Sequence, residues 1–485
     1  MPPMSADPFK PYTPYCGLLY NDKQQPYRAE SAPMVAISAP TRTGKTRRIL
    51  APAAVLHPGP AVCLSSKPDL AKLVIPKRVT GVTGVIDLSP EKTRGWPSDI
   101  RTWVSDPTAT ITTADEALTV AETMLATSGV GIGGATAGSS VTSGGLWELT
   151  ASKPLACLLY AASPQGNCEG MPWVVQAAEN FGLPDPNDKQ ASDSRAAALG
   201  TTPNGPSFLK AYELCPHPLI AEPILSMLTM DSRMRDSVAI TVRKAVAPWV
   251  RLGLSTAAEL QTLGAVEELS IDSFDISILD EPDATLFVIA PNSGSVAGVA
   301  VALVDAIIRH FRRKAANDEL THRLLLELDE VCNSCPLPSL LNYVGESAGL
   351  GVNIMATVQA SSHFDVVYGP KYADALRDIF PGFLVMYGAH ERGILEQASH
   401  WGGLGTRRTE AYEANSGSRG QSSVYGQNLE WQEFLPQDTE EAQLVVRGTP
   451  GNMVSIPDFD EVMKIFKKAL EARNAKRSRH ARRQR

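Results

Sequence analysis

One segment of this 485-residue sequence combines the residue types and the spacing of a phosphate-binding loop. It reads APTRTGKT over residues 39–46 and fits the pattern G-x-x-x-x-G-K-[ST], except that Ala39 stands at the first glycine. An apolar run comes directly before it, and a helical pattern follows. In such a loop, successive backbone N–H groups converge on phosphate oxygens, and the start of the helix adds positive potential. We therefore predict a nucleotide site here, in preference to an ordinary strand–turn–helix corner with a solvated lysine.

The loop residues have separate expected roles in that site. Gly44 allows close approach of the backbone, Lys45 reaches the β- and γ-phosphates, and the Thr46 hydroxyl is a ligand for Mg²⁺. The predicted nucleotide-binding residues are Pro40, Thr41, Arg42, Thr43, Gly44, Lys45 and Thr46.

A second motif ends another apolar run. Residues 323–330 read RLLLELDE, so that Asp329 and Glu330 follow a hydrophobic strand in the Walker B pattern. Asp329 can hold Mg²⁺ through water, and Glu330 can orient and deprotonate the attacking water. Acidic strand ends are common, but a phosphate loop in the same chain favours the catalytic interpretation. Glu327 interrupts the apolar run, and nothing in the sequence explains it.

Gln359 is a third candidate, because it ends the next apolar run, 351–359. A polar amide at the end of a core strand can lie beside the γ-phosphate and report its loss. A capping glutamine is an equal alternative when the residue is considered by itself.

Strand and helix patterns alternate around these motifs and indicate an α/β domain with a parallel sheet. The predicted strands are 34–38, 59–65, 84–88, 284–290, 323–328, 352–358 and 382–387, with 443–447 and 453–456 closing the sheet. Helices are expected at 45–56 and 295–314.

A helical insertion divides that domain. Its predicted helices are 114–126, 147–162, 171–181, 207–212, 218–229 and 231–253, with polar loops at 128–145 and 185–206. The expected organisation is an extended N-terminal arm (1–33), a nucleotide-binding domain in two parts (34–107 and 263–460), an all-α domain (108–262) and a basic tail (461–485). Residues 416–427 are predicted to be a polar loop.

The net charge of −7 is unevenly distributed. Residues 464–485 carry +9, which leaves −16 on the remainder of the chain. We expect this tail to contact nucleic acid or acidic lipid, with a merely solubilising tail as the alternative. The seven scattered cysteines indicate reduced thiols, and Cys332 and Cys335 are too few for a zinc site. The sequence shows no signal peptide and no apolar stretch long enough to cross a bilayer.

Taken together, the motifs resemble those of the coupling proteins of conjugative type IV secretion systems, which are TraG/TraD-like ATPases of the HerA/FtsK superfamily. The resemblance covers roughly residues 34–460 and is most specific over 324–369. There the Asp-Glu pair, Pro-Leu-Pro, Gly-x-Gly, the strand-end glutamine and Tyr-Gly follow the family's order. It implies a RecA-like P-loop NTPase domain with a parallel-rich sheet, interrupted by an all-α domain.

The same resemblance implies an ATP-driven hexameric ring at the inner membrane. Such a ring recruits a relaxase–DNA complex and pumps single-stranded DNA, with attached protein, into the secretion channel. Lys45 and Thr46 would bind ATP and Mg²⁺, Asp329 would coordinate Mg²⁺, Glu330 would be the catalytic base, and Gln359 would sense the γ-phosphate. The chain is expected in the cytoplasm, attached to the membrane through partners.

Two departures from the family bear on turnover. Ala39 replaces a glycine, which is tolerable if its φ is negative, and Ala348 stands at the expected arginine-finger position. Either hydrolysis is slow, or another arginine acts across the subunit boundary. The candidates are Arg377, Arg392, Arg407 and Arg408. Two alternative functions stay open: a nucleotide-gated docking protein with little hydrolysis, and a related DNA-segregating or packaging ATPase.

Overall fold

The structure is a computed structural model. It describes residues 10–26, 31–78, 81–93, 95–128, 144–182, 205–262, 272–291, 296–412, 419–468 and 470–471. Most of the predicted loops 128–145 and 185–206, and the tail beyond residue 471, lie outside these ranges.

A twelve-stranded sheet is the centre of the described structure. Its strands are β1 (Leu18–Leu19), β2 (Asp22–Pro26), β3 (Met34–Ser38), β4 (Ala61–Ser65), β5 (Thr83–Asp87), β6 (Arg101–Thr102), β7 (Thr285–Ile289), β8 (Leu324–Leu328), β9 (Val352–Val358), β10 (Gly382–Met386), β13 (Glu441–Val446) and β14 (Asn452–Ser455). A separate two-stranded ribbon consists of β11 (Leu404–Tyr412) and β12 (Arg419–Gln427).

Helices surround the sheet. The first begins as a π-helical turn, Thr46–Leu50, and continues as α1 (Ala51–Leu56). The others are α2 (Asp69–Val74), α3 (Ala114–Ser128), α4 (Gly144–Ala162), α5 (Gly170–Ala178), α6 (Phe208–Leu214), α7 (Pro218–Leu228), α8 (Ser232–Thr262), α9 (Ala297–Ala316), α10 (Val331–Ser334), α11 (Leu340–Glu346), α12 (Ser362–Tyr368), α13 (Pro370–Ile379), α14 (Arg392–Trp401) and α15 (459–468).

The order of the strands is β2-β1-β14-β13-β10-β3-β9-β8-β4-β7-β5-β6. All neighbours from β10 to β6 are parallel, whereas the pairs from β2 to β10 are antiparallel. Strands β3, β8 and β9 are fully buried, as expected for parallel strands covered on both faces. The predicted α/β fold class with a mostly parallel central sheet is therefore confirmed.

Strand β9 lies between β3 and β8, and this order brings the sequence motifs together. The phosphate loop follows β3, the Asp-Glu pair follows β8, and Gln359 follows β9. Because parallel strands end at the same edge of a sheet, all three motifs meet at that edge.

The helical segment leaves and rejoins the sheet at adjacent points. Val104 and Ser273 form a parallel bridge, in which the Val104 N–H donates to the Asp272 carbonyl at 3.2 Å and the Phe274 N–H donates to the Val104 carbonyl at 3.0 Å. The Trp103 and Phe274 rings lie 5.3 Å apart at the same place. Helices α3 to α8 all lie between these two connections.

Two segments differ from the sequence predictions. The described part of the N-terminal segment is not an arm apart from the domain, since Leu18 pairs with Ser455 and Tyr15 and Cys16 are buried. Residues 419–427, predicted as a polar loop, form β12. They pair with β11 at nine register positions, and this backbone pairing, not an apolar alternation, defines the strand.

Candidate nucleotide site

The phosphate loop is anchored at both ends. The Ala39 N–H donates to the Val358 carbonyl at 2.9 Å, and the Arg48 N–H donates to the Gly44 carbonyl at 2.8 Å. Gly44 has a φ of +86°, and a Cβ there would lie 3.1 Å from the Arg48 side chain, so this position requires glycine. The φ of Ala39 is not in the positive range, which is the condition under which alanine can replace the first glycine of the motif.

Lys45 lies between the two acidic residues of the second motif. Its Nζ is 2.9 Å from Glu330 Oε1 and 3.2 Å from Asp329 Oδ1. These three side chains are only 12%, 14% and 7% exposed, so solvent screens their attraction weakly. Three predicted site residues thus form one ion-paired cluster.

Two hydroxyl groups fix the Asp329 carboxylate. The Ser65 Oγ donates to Oδ2 and the Thr357 Oγ1 donates to Oδ1, both at 2.9 Å. Ser65 ends β4 and Thr357 lies near the end of β9, so each neighbour of β8 contributes one donor. Sequence reasoning missed both residues. Their signal is a small hydroxyl residue at the end of an otherwise apolar strand.

Glu330 has a strained backbone. Its φ of +52° and ψ of +52° place it in the left-handed region, which costs a non-glycine residue about 1 kcal/mol or more. The Glu330 N–H donates to the Thr357 Oγ1 at 2.9 Å, and this contact holds the turn. The Gln359 Nε2 lies 3.4 Å from Glu330 Oε1, so the third predicted residue borders the cluster.

Residues C-terminal to β14 hold the helix that follows the phosphate loop. Arg47 donates from Nε to Asp458 Oδ1 at 2.9 Å and from Nη2 to Asp458 Oδ2 at 2.7 Å. These hydrogen bonds lower the pKa of the Asp458 carboxyl. Arg48 Nη1 donates to the Ile456 carbonyl at 2.8 Å. Sequence reasoning missed these contacts, because they join segments about four hundred residues apart.

The expected arginine-finger position lies in a 3₁₀ turn, Ser347–Leu350, where Ala348 is exposed. Among the alternatives, Arg377 is bound within its own chain. It pairs with Asp365, donates to Asp374 Oδ1 at 2.8 Å, and donates from Nη2 to the Ser361 carbonyl at 2.9 Å.

Arg392 and Arg407 are more exposed than Arg377. Arg392 is 65% exposed and pairs with Glu396 at 2.7 Å. Arg407 is 32% exposed and pairs with Glu433 at 2.5 Å. The Arg408 side chain lies outside the described part of the structure.

Cys332 and Cys335 are buried in the core, and burial raises the pKa of the Cys332 thiol to about 12. In the described residues, no three or more His, Cys, Asp or Glu side chains are grouped as metal ligands. None of the helices that the structure describes has the length and apolarity to cross a lipid bilayer.

The segment that contains the acidic motif is similar to a known protein family. Residues 323–441 match a protein-family model described as the TraM recognition site of TraD and TraG. This segment includes Asp329, Glu330 and Gln359, and all of residues 324–369. The resemblance to TraG/TraD-like coupling proteins is therefore confirmed over this part of the chain. No curated protein matches the chain in sequence.

Among solved structures, the chain has the fold of P-loop NTPases. The bacterial conjugative coupling protein TrwBΔN70, in its unbound monoclinic form, matches with a TM-score of 0.52 and 16% identity, over 89% of this chain and 86% of that chain. Its trigonal form in complex with sulphate matches with a TM-score of 0.50 and 16% identity, over 88% and 86%. The plasmid coupling protein TrwB in complex with ADP and Mg²⁺ matches with a TM-score of 0.49 and 15% identity, over 89% and 87%.

Proposed function

We propose that this chain is an ATP-driven coupling protein of a conjugative type IV secretion system. It recruits a relaxase–DNA complex and pumps single-stranded DNA, with attached protein, into the secretion channel at the inner membrane. The observation that carries this proposal is the convergence of Lys45, Asp329, Glu330 and Gln359 at one sheet edge. The family match over residues 323–441 supports the assignment to conjugation in preference to DNA segregation or packaging.

The residues at this edge fit ATP with Mg²⁺. The backbone of residues 40–44 and the Lys45 ammonium suit the phosphates, and Thr46 and Asp329 are the hard oxygen ligands that Mg²⁺ prefers. When bound, Mg²⁺ would neutralise charge on the β- and γ-phosphate oxygens. Glu330 is the base for the attacking water, and Gln359 lies beside it.

Lys45 also controls when Glu330 can act. Its ammonium donates to Glu330 Oε1 at 2.9 Å, which occupies one acceptor site of the carboxylate. The phosphate oxygens of bound ATP compete for the same ammonium. Binding of ATP therefore draws Lys45 toward the phosphates and opens that site of Glu330 to the attacking water.

The direct test is ATP hydrolysis by wild type and by Lys45→Ala, with and without single-stranded DNA. We expect stimulation by DNA in the wild type and a loss of about 10²-fold or more in the variant. Lys72→Ala is the control, since Lys72 is exposed on α2. An unstimulated wild type together with a fully active Lys45→Ala would contradict the proposal.

One observation favours a second function, a nucleotide-gated docking protein with little hydrolysis. The finger position holds Ala348, and Arg377 is bound within its own chain. Tight ATP binding with negligible turnover, at concentrations where hexameric rings assemble, would support this alternative. Rapid turnover under the same conditions would exclude it.

A further inference from the structure

Glu391 is a buried carboxylate beside the nucleotide site that no sequence motif marks. It lies between β10 and α14, is 5% exposed, and accepts three hydrogen bonds. Ser38 Oγ donates to Oε1 at 2.6 Å, the Ser361 N–H donates to Oε1 at 2.7 Å, and Ser361 Oγ donates to Oε2 at 2.6 Å.

The two serines belong to neighbouring strand ends, Ser38 within β3 and Ser361 three residues beyond the end of β9. Ser38 is the last residue of β3 and directly precedes the phosphate loop, while Ser361 comes two residues after Gln359. We propose that Glu391 is a positioning residue for ATP hydrolysis, which sets the separation of the phosphate loop and the Gln359 loop through Ser38 and Ser361. This inference rests on the proposed function.

The three Glu391 hydrogen bonds lie at the end of the β3–β9 pairing, which favours a role in positioning the loops over a role in the stability of the sheet. Strands β3 and β9 are already joined by backbone pairing from Met34 to Ser38, and the last register pair is Ser38 with Val358. Glu391 therefore joins the last paired residue of β3 to Ser361, which lies beyond the pairing of β9. Two of its three hydrogen bonds hold the loop after Gln359, and the third holds the residue from which the phosphate loop starts.

A cation compensates the buried carboxylate through one hydroxyl group. Arg377 Nε donates to Ser361 Oγ at 3.2 Å, and the same Oγ donates to Glu391. A buried charge of this kind is stable only when donors surround it. Because Arg377 lies on α13, this network connects Glu391 to that helix. Arg377 therefore has a structural role inside its own subunit, as the cation that balances Glu391.

Glu391→Gln is the central variant, because it keeps the size of the side chain. One carboxylate oxygen becomes an NH₂ group. At the Oε2 position this group makes Ser361 Oγ accept where it now donates, and the negative charge that balances Arg377 through that hydroxyl is lost. We expect kcat for ATP to fall about 10- to 100-fold, as displaced catalytic groups do, while the Kd of a non-hydrolysable ATP analogue stays within about threefold. Glu319→Gln is the matched control, since Glu319 is exposed and precedes β8 at the opposite edge of the sheet.

Ser38→Ala and Ser361→Ala remove one hydroxyl each and leave Glu391 in place. If Glu391 acts through the two hydroxyls, the double serine variant loses kcat as well, and adding Glu391→Gln to it costs little more, because only the Ser361 N–H contact is left to lose. Full kcat in Glu391→Gln would overturn the inference. So would a loss of kcat that follows the loss of folded protein in thermal unfolding.

Backbone hydrogen exchange provides a readout that does not depend on turnover. In Glu391→Gln, we expect faster exchange at the Ser361 amide and in residues 39–44, without faster exchange in β3 or β9. A wild-type chain without ATPase activity would contradict the proposed function. In that case faster loop exchange would still support the positioning contact, and unchanged exchange would overturn it.

Discussion

Glu327 and Asp329 lie two positions apart on the same side of β8, yet their surroundings make them different acids. Asp329 accepts hydrogen bonds from Ser65 and Thr357 and pairs with Lys45. The Glu327 carboxyl is fully buried and receives no hydroxyl or ammonium donor in the described structure; its neighbours are the weak thiol donor Cys63 and the backbone of Ala54. The comparison shows that hydrogen-bond donors and a cation at the strand end stabilise the charged form of one carboxylate, whereas a buried acid on the same strand lacks them.

The charge state of Glu327 follows from this difference. Burial raises the pKa of its carboxyl well above the ordinary value, and the Cys63 thiol and the nearby Arg78 only partly oppose that rise. Cys63, its register partner on β4, is buried beside it, and burial raises the pKa of that thiol as well. Burial therefore disfavours the charged form of Glu327 in the folded chain. Glu327 is a structural group of β8, two residues before Asp329.

The sharpest test of the comparison exchanges each acid for its amide. Asp329→Asn removes the charge that pairs with Lys45, and we expect kcat for ATP to fall about 10²- to 10³-fold. Glu327→Gln should leave kcat within about threefold, since its carboxyl is favoured in the neutral form. Steady-state ATPase assays of the two purified variants measure both effects. If both variants lose the same share of kcat, the proposed difference between the two acids is wrong.

Removal of one donor from Asp329 should have a smaller effect. Thr357→Val keeps the shape of the side chain but loses the hydrogen bonds to Asp329 and to the Glu330 N–H. We expect kcat to fall about tenfold or more, because the hydrogen bond to the charged Asp329 alone is worth about that factor and the Glu330 N–H also loses its acceptor. Thr357→Ser restores the hydroxyl and should recover most of the rate. If Thr357→Ser is as slow as Thr357→Val, packing and not the hydroxyl is responsible.

The smallest expected effect concerns stability and its dependence on pH. The folded pKa of Glu327 lies above its unfolded value, so its contribution is complete below the ordinary Glu pKa and is lost as pH rises toward the folded pKa. Glu327→Met removes a buried carboxyl whose donors are only a weak thiol and one backbone group. It should raise Tm by about 3 °C at pH 8, and by less at pH 5.

Thermal unfolding of wild type and Glu327→Met at both pH values checks this prediction. Glu319→Met, at an exposed position, serves as the control. A Glu327→Met chain that is less stable than wild type at both pH values would show that Glu327 has a stabilising partner after all.

The sequence predicted the centre of the sheet well. Strands β3 and β9 were predicted to the residue, because parallel strands buried on both faces read as continuous apolar runs. The adjacency of Lys45, Asp329 and Glu330 also followed from sequence, since phosphate chemistry restricts both residue types and spacing.

The supporting contacts could not be read from the sequence. Ser65, Thr357 and Glu391 are single polar residues whose partners lie far away along the chain, and no periodic pattern marks them. The ribbon strand β12 was missed for a different reason. Its composition is polar, and cross-strand pairing with β11 defines it.

The bridge between Val104 and Ser273 has an evolutionary consequence. Because the two connections of the helical segment run side by side, a change of length inside that segment does not require β6 and β7 to move. The segment shares one hydrophobic core with the sheet, so the loops between its helices, more than the whole segment, are the places where insertions are tolerated during evolution.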